Sequence, residues 1–162
     1  MRNRLLFAAL VFALILPAAR ARSQQLTIQT GTGKQTLLAR SDLEALPHIK
    51  ITTSASGTAS TTFEGVSLKT VLDKAGVEFG EAMRGKRMAS YLLVEATDGY
   101  RVVIALPELD PAFTDKQVVL AFLKDGKPLD DKEGPYRIVI PDEKRMARWV
   151  RQVTTLKIVD AQ

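Results

Sequence analysis

Tyr91 to Thr97 and Tyr100 to Leu106 are two apolar-rich runs separated only by Asp98-Gly99. An Asp-Gly pair between such runs predicts a β-hairpin, because its tight turn needs residues that tolerate positive φ. This hairpin commits the second half of the chain to sheet. Earlier in the sequence, Leu26 to Thr30 alternates apolar and polar residues, and Gln35 to Ala39 returns after the Gly31-Thr32-Gly33-Lys34 turn. His48 to Thr53, Gln117 to Leu123, Tyr136 to Ile140 and Val150 to Val159 read as further strands, with Asp125-Gly126-Lys127-Pro128 as another turn. Ser54 to Ser60 is small and polar and reads as a loop.

Helices are few. Ser41 and Glu44 have capping-box spacing, which predicts a short helix from Asp42 to Ala45 that ends near Pro47. Ser67 is placed to cap a second, in which Leu68, Val71, Leu72 and Ala75 share one face up to Gly76. About seven to nine strands with two or three short helices, in no regular alternation, predict a mixed α+β domain rather than a doubly wound sheet. With 162 residues and no linker or repeat after Leu26, the chain holds one such domain.

The N-terminus reads differently. Arg2 and Arg4 precede an uninterrupted apolar run of 12 residues, Leu5 to Leu16, followed by Pro17 and Ala19-Arg20-Ala21. The run falls short of the roughly 18–20 residues that span a bilayer, and it has the layout of a secretory signal. The expectation is a signal peptide over 1–21, a domain over 22–162 and a periplasmic destination, with an uncleaved anchor as the alternative. Arg2, Arg4 and Arg20 would leave with the signal. They carry three of the five excess positive charges, which removes the main argument for nucleic-acid binding.

Composition excludes much chemistry. Zero cysteines leave no disulfide, thiolate metal site or thiol nucleophile, and a single histidine, His48, leaves no multi-histidine centre. Gly31-x-Gly33-Lys34 lacks the upstream glycine and following hydroxyl of a phosphate loop. The acids around Asp125, Asp130, Asp131 and Glu133 lack calcium-loop spacing and read as a solvated turn. What remains is Lys144 to Arg151, where four cations and the only tryptophan fall within eight residues. Arginine there can grip an anion or a polar heterocycle edge beside an indole face. The competing reading is a solvated basic turn with Trp149 buried beneath it.

The motifs also resemble a known family. Phe63-Glu64-Gly65-Val66-Ser67-Leu68 with Val71-Leu72 and Ala75-Gly76-Val77 is similar to a signature of the sulfite-oxidase-type molybdopterin-binding domain. Asp98-Gly99-Tyr100, Leu120-Ala121-Phe122 with Asp125 to Leu129, Gly134 to Pro141, and Ala147-Arg148 with Val150-Arg151 match its later motifs in order. The resemblance spans Ile49 to Val159 and implies that family's fold and a pterin or molybdopterin-like ligand. Arg148 and Arg151 match the family's cations that approach the pterin and phosphate. The family's enzymes hold molybdenum through a cysteine, and the nearest counterpart here is Ser54, whose hydroxyl is a hard, poorly ionised donor. No molybdenum is therefore expected.

The chain also resembles short exported proteins of this fold that bind reduced pterins without metal. Those proteins signal to a membrane partner, often one controlling a cyclic dinucleotide. On that reading Arg148, Trp149 and Arg151 line the ligand site, Arg137 supports them, and Trp149 stacks on the pteridine. Asp98 or Glu95 accepts from its amino edge, and Tyr91, Tyr100 or Tyr136 closes the other face. Three classes stay open: a non-catalytic pterin-binding module, a molybdopterin-dependent oxidoreductase or its subunit, and a ligand-free interaction domain.

Overall fold

In a computed structural model, residues 24–54, 60–141 and 143–160 are described. The predicted signal segment and most of the Ser54–Ser60 loop lie outside the described residues. Among the described residues, ten strands form two sheets. The first has the order β2(Gln35–Leu38), β1(Leu26–Gln29), β10(Val153–Val159), β5(Tyr91–Ala96), β6(Arg101–Ala105). The second runs β3(His48–Thr53), β4(Thr61–Ser67), β7(Val119–Lys124), β8(Lys127–Pro128), with β9(Arg137–Val139) also paired to β7. Two short helices, α1(Arg40–Glu44) and α2(Leu68–Lys74), and a few 3-10 turns complete the domain. The α+β expectation holds.

Most strands form where the alternation placed them, but β4 is not among the expected strands and β8 lies within the expected Asp125–Pro128 turn, so the count exceeds the expected seven to nine. Along β5, Leu92, Val94 and Ala96 point inward while Tyr91, Leu93 and Glu95 are half-buried. Gly99, at φ +84°, makes the β5–β6 turn, and Asp125 and Gly126 at φ +50° and +75° make the β7–β8 turn. Gly65 is required by proximity rather than by dihedral. A Cβ there would lie 2.1 Å from the Leu120 carbonyl oxygen, at the bulge where β4 crosses β7. Buried residues of both sheets, including Ile28, Leu92, Ile104 and Leu156 from one and Phe63, Val66, Leu120 and Phe122 from the other, join in one continuous core.

Both helix caps differ from the expectation. Helix α1 begins at Arg40, because the Asp42 carboxylate reaches back to the Ala39 N–H at 2.8 Å; Ser41 lies inside the helix. Glu44 closes an ion pair with Arg40 at 2.7 Å instead of a capping box. Helix α2 does follow Ser67, but no hydroxyl bond caps it; the first helical N–H, of Leu68, goes to the Val118 carbonyl at 2.8 Å. At α2, a tertiary neighbour satisfies a donor that the sequence assigned to a cap.

Candidate functional site

A cleft of about 560 Å³ opens beside the β5–β6 turn, lined by Asp98, Tyr100, Asp131, Trp149, Arg151 and Gln152 among others. One wall is the hairpin tip. Asp98 accepts the Tyr100 N–H at 2.9 Å, which folds the turn back and leaves its second carboxylate oxygen uncommitted in that bond. Tyr100 is 48% exposed, yet its ring is held in place because its hydroxyl donates to the Ala147 carbonyl at 2.7 Å. The opposite wall is the segment entering β10. Arg151 is exposed there and has no ion-pair partner among the described residues. Gln152 adopts φ +52°, in the left-handed region. Its backbone donates to Glu133 and accepts from Thr97, and its side chain donates to the Asp131 carbonyl at 2.5 Å. Those bonds over-determine an otherwise unfavourable backbone at the cleft rim.

The fold divides the predicted site residues. Asp98, Tyr100, Trp149 and Arg151 meet at this cleft. Trp149, however, is only 6% exposed; its N–H donates to the Ile140 carbonyl at 2.9 Å and its ring meets the edge of Phe63. It is a core residue whose rim touches the cleft, and the broad stacking face falls to Tyr100. Arg148 does not line the cleft. Its guanidinium donates to Glu143 through Nε at 2.7 Å, again through an η nitrogen, and to Glu108 at 3.5 Å. Partial burial disfavours the charged guanidinium, but these carboxylate bonds outweigh it and raise its pKa further above the usual value. Burial pushes the Glu108 carboxyl up, yet bonds from Lys116 and Arg148 hold it below the usual range.

Arg137 is buried, bonded to Glu133 at 2.5 Å, and lies over the rings of Phe63 and Trp149. Its Nε has no hydrogen-bond partner among the described residues. Ser54 follows β3, is exposed, and is not among the cleft-lining residues. Glu95 pairs with Arg101 at 3.9 Å on the neighbouring strand, and Tyr91 is half-buried at the far end of β5. Tyr136 is fully buried with its hydroxyl on the Gln24 carbonyl, and burial raises its pKa to about 12. Gln152 is the residue that sequence reasoning missed. Glutamine carries no positive-φ signal, so only the backbone reveals it.

The family model for the oxidoreductase molybdopterin binding domain matches residues 14–162. The chain belongs to this family. The fold is similar to that of the sulfane dehydrogenase SoxCD from Paracoccus pantotrophus, with TM-score 0.64 and 21% identity. That match covers 84% of this chain and 38% of the other, so this family member spans well under half of the enzyme chain. None of the curated proteins matches the sequence.

A family ligand can be tested against the residues present. The chain has no cysteine, and among the described residues no group of three or more His, Asp or Glu side chains is placed to hold a metal. Molybdenum ligation through thiolate does not fit this chain. The organic part of the ligand does fit. The cleft offers a fixed aromatic ring, a carboxylate and a guanidinium, the donor and acceptor set that a flat, amide-edged heterocycle requires.

Proposed function

We propose that this chain is an exported, non-catalytic member of the family that binds a pterin-type heterocycle without molybdenum. We further propose that it serves as the ligand-sensing partner of a membrane signalling protein. The observation that carries this reading is a molybdopterin-binding domain with no cysteine, whose cleft presents Tyr100, Asp98 and Arg151 together. Tyr100 supplies the stacking surface, because the bond from its hydroxyl to Ala147 fixes the ring before ligand arrives. The free oxygen of Asp98 accepts from the 2-amino edge of the pteridine, and Arg151 donates to its carbonyl edge. No residue here is asked to make or break a covalent bond.

The test is mass spectrometry of small molecules released from protein purified from the periplasm, joined to calorimetry with 6-methyltetrahydropterin. Release of a pterin, or measurable heat that Arg151→Ala reduces, supports the reading. Absence of both overturns it. Metal analysis of protein made in a molybdenum-replete host is expected to show no stoichiometric molybdenum. One molybdenum per chain would overturn the non-catalytic part.

A further inference from the structure

Strand β6 is one of the two outer strands of the first sheet, and its free edge is unusually bare. The register pairs Val94 with Val102 and Leu92 with Ile104, and the flanking bonds run from Ala96 N–H to Tyr100 and from Leu106 N–H to Ser90. Bonded pairs alternate along an antiparallel ladder, so the even-numbered residues of β6 face β5. The N–H and C=O groups of Arg101, Val103 and Ala105 therefore point away from the sheet. None of them appears in a backbone bond outside the ladder among the described residues. The other outer strands are blunted: β2 has four residues, β3 carries the exposed Lys50, and β8 is two residues ending in Pro128. In contrast, β6 carries Val102, Val103 and Ile104 in succession, with Val103 49% exposed.

We infer that this edge pairs with the same edge of a second copy of the chain, two-fold and antiparallel, centred on Val103. Charge and donor placement select that register. Centring on Arg101 opposes two guanidinium groups, and sliding the other way brings Pro107, which has no N–H, opposite Arg101. Centring on Val103 pairs all three outward residues, sets each Arg101 against a small Ala105, and leaves Arg101 beside its own Glu95. It also joins Leu93 and Val103 of both copies, partners in the β5–β6 register, into one apolar row across the seam. A sheet edge that is its own complement fits a two-fold interface.

The experiment exploits the chain's lack of cysteine. Opposed residues in a bonded antiparallel pair have Cα atoms about 5.5 Å apart, within disulfide range. Val103→Cys, mildly oxidised, is expected to give a disulfide-linked dimer rapidly, while Leu37→Cys on the exposed edge strand β2 forms no disulfide cross-link over the same time. Sedimentation equilibrium of the unmodified protein is expected to show a monomer–dimer equilibrium. Val103→Pro, which removes an outward N–H and no N–H of the β5–β6 ladder, should shift it at least tenfold toward monomer with an unchanged circular dichroism spectrum. A monomeric wild type, equal cross-linking of both cysteine variants, or dimerisation unaffected by Val103→Pro would overturn the proposal. Should the proline variant not fold, Val103→Lys takes its place with the same expected shift.

Discussion

On the inner side of residues 146–152, Arg148 is bonded to Glu143 and Glu108 and Trp149 gives its N–H to Ile140. On the outer side, Arg151 stands exposed over the cleft, facing Tyr100 and Asp98. The two arginines are three residues apart in one basic run, yet carboxylates satisfy the first, while the second is exposed and has no ion-pair partner among the described residues. A guanidinium already engaged by two carboxylates has little left to offer an incoming ligand, whereas an exposed one has its full fork of donors. The basic run therefore combines a latch with a candidate binding group, and substitution can separate them.

The largest effect should come from Trp149→Ala, which deletes a buried indole from the joint between core and cleft. A stability loss of about 3–5 kcal/mol is expected in chemical denaturation. A loss below about 1 kcal/mol would show that the indole contributes to the cleft rather than to the core. Arg137→Met comes next, because it leaves Glu133 partly buried without its closest partner. Destabilisation of up to about 3 kcal/mol is expected, reduced to the extent that Lys124 still pairs with Glu133. In the double variant Arg137→Met with Glu133→Gln, part of that loss should return.

The paired arginine substitutions sharpen the comparison most. Arg148→Ala should lower stability by about 1–2 kcal/mol, since charge-assisted bonds to Glu143 and Glu108 are lost from a partly exposed site. Its pterin affinity in calorimetry should be nearly unchanged. Arg151→Ala should do the reverse, keeping the melting temperature while weakening pterin binding about tenfold, or roughly 1.4 kcal/mol. If both variants lose only affinity, the division between latch and ligand group is wrong.

The smallest effect is on pH dependence. Glu108 has a folded pKa below its ordinary 4.5, so the unfolded chain takes up its proton first as pH falls. Its contribution is fully present above that value and is lost as pH drops through the lower folded pKa. A stability profile should show a shallow acid limb below pH 4.5 that Glu108→Gln flattens. Asp110 contributes in the same direction below its ordinary 3.8, since burial raises its pKa but N–H bonds from Ala112 and Gly80 lower it further.

Local periodicity and turn chemistry were sufficient for most of the strands, though not for β4 or β8. Alternation in Tyr91–Ala96 marks a strand with one face in the core, and Asp98-Gly99 and Asp125-Gly126 are turns because few other pairs accept positive φ. The motif order from Phe63 to Arg151 was enough for the family, and the absence of cysteine excluded a thiolate metal site. These properties are legible because each depends on neighbours in sequence or on composition alone. Only tertiary structure decided which of the basic residues reach the cleft. Arg148 and Arg151 are alike in sequence, and they part only because Glu108, forty residues earlier in the chain, folds back beside one of them. Helix α2 gave its first N–H to Val118, just before β7, rather than to a local capping hydroxyl. The parallel pairing of β1 with β10 likewise joins the two ends of the domain and has no local signal. Long-range hydrogen bonds and ion pairs compete with local preference on nearly equal energetic terms, so the chain's path decides between residues that the sequence leaves equivalent.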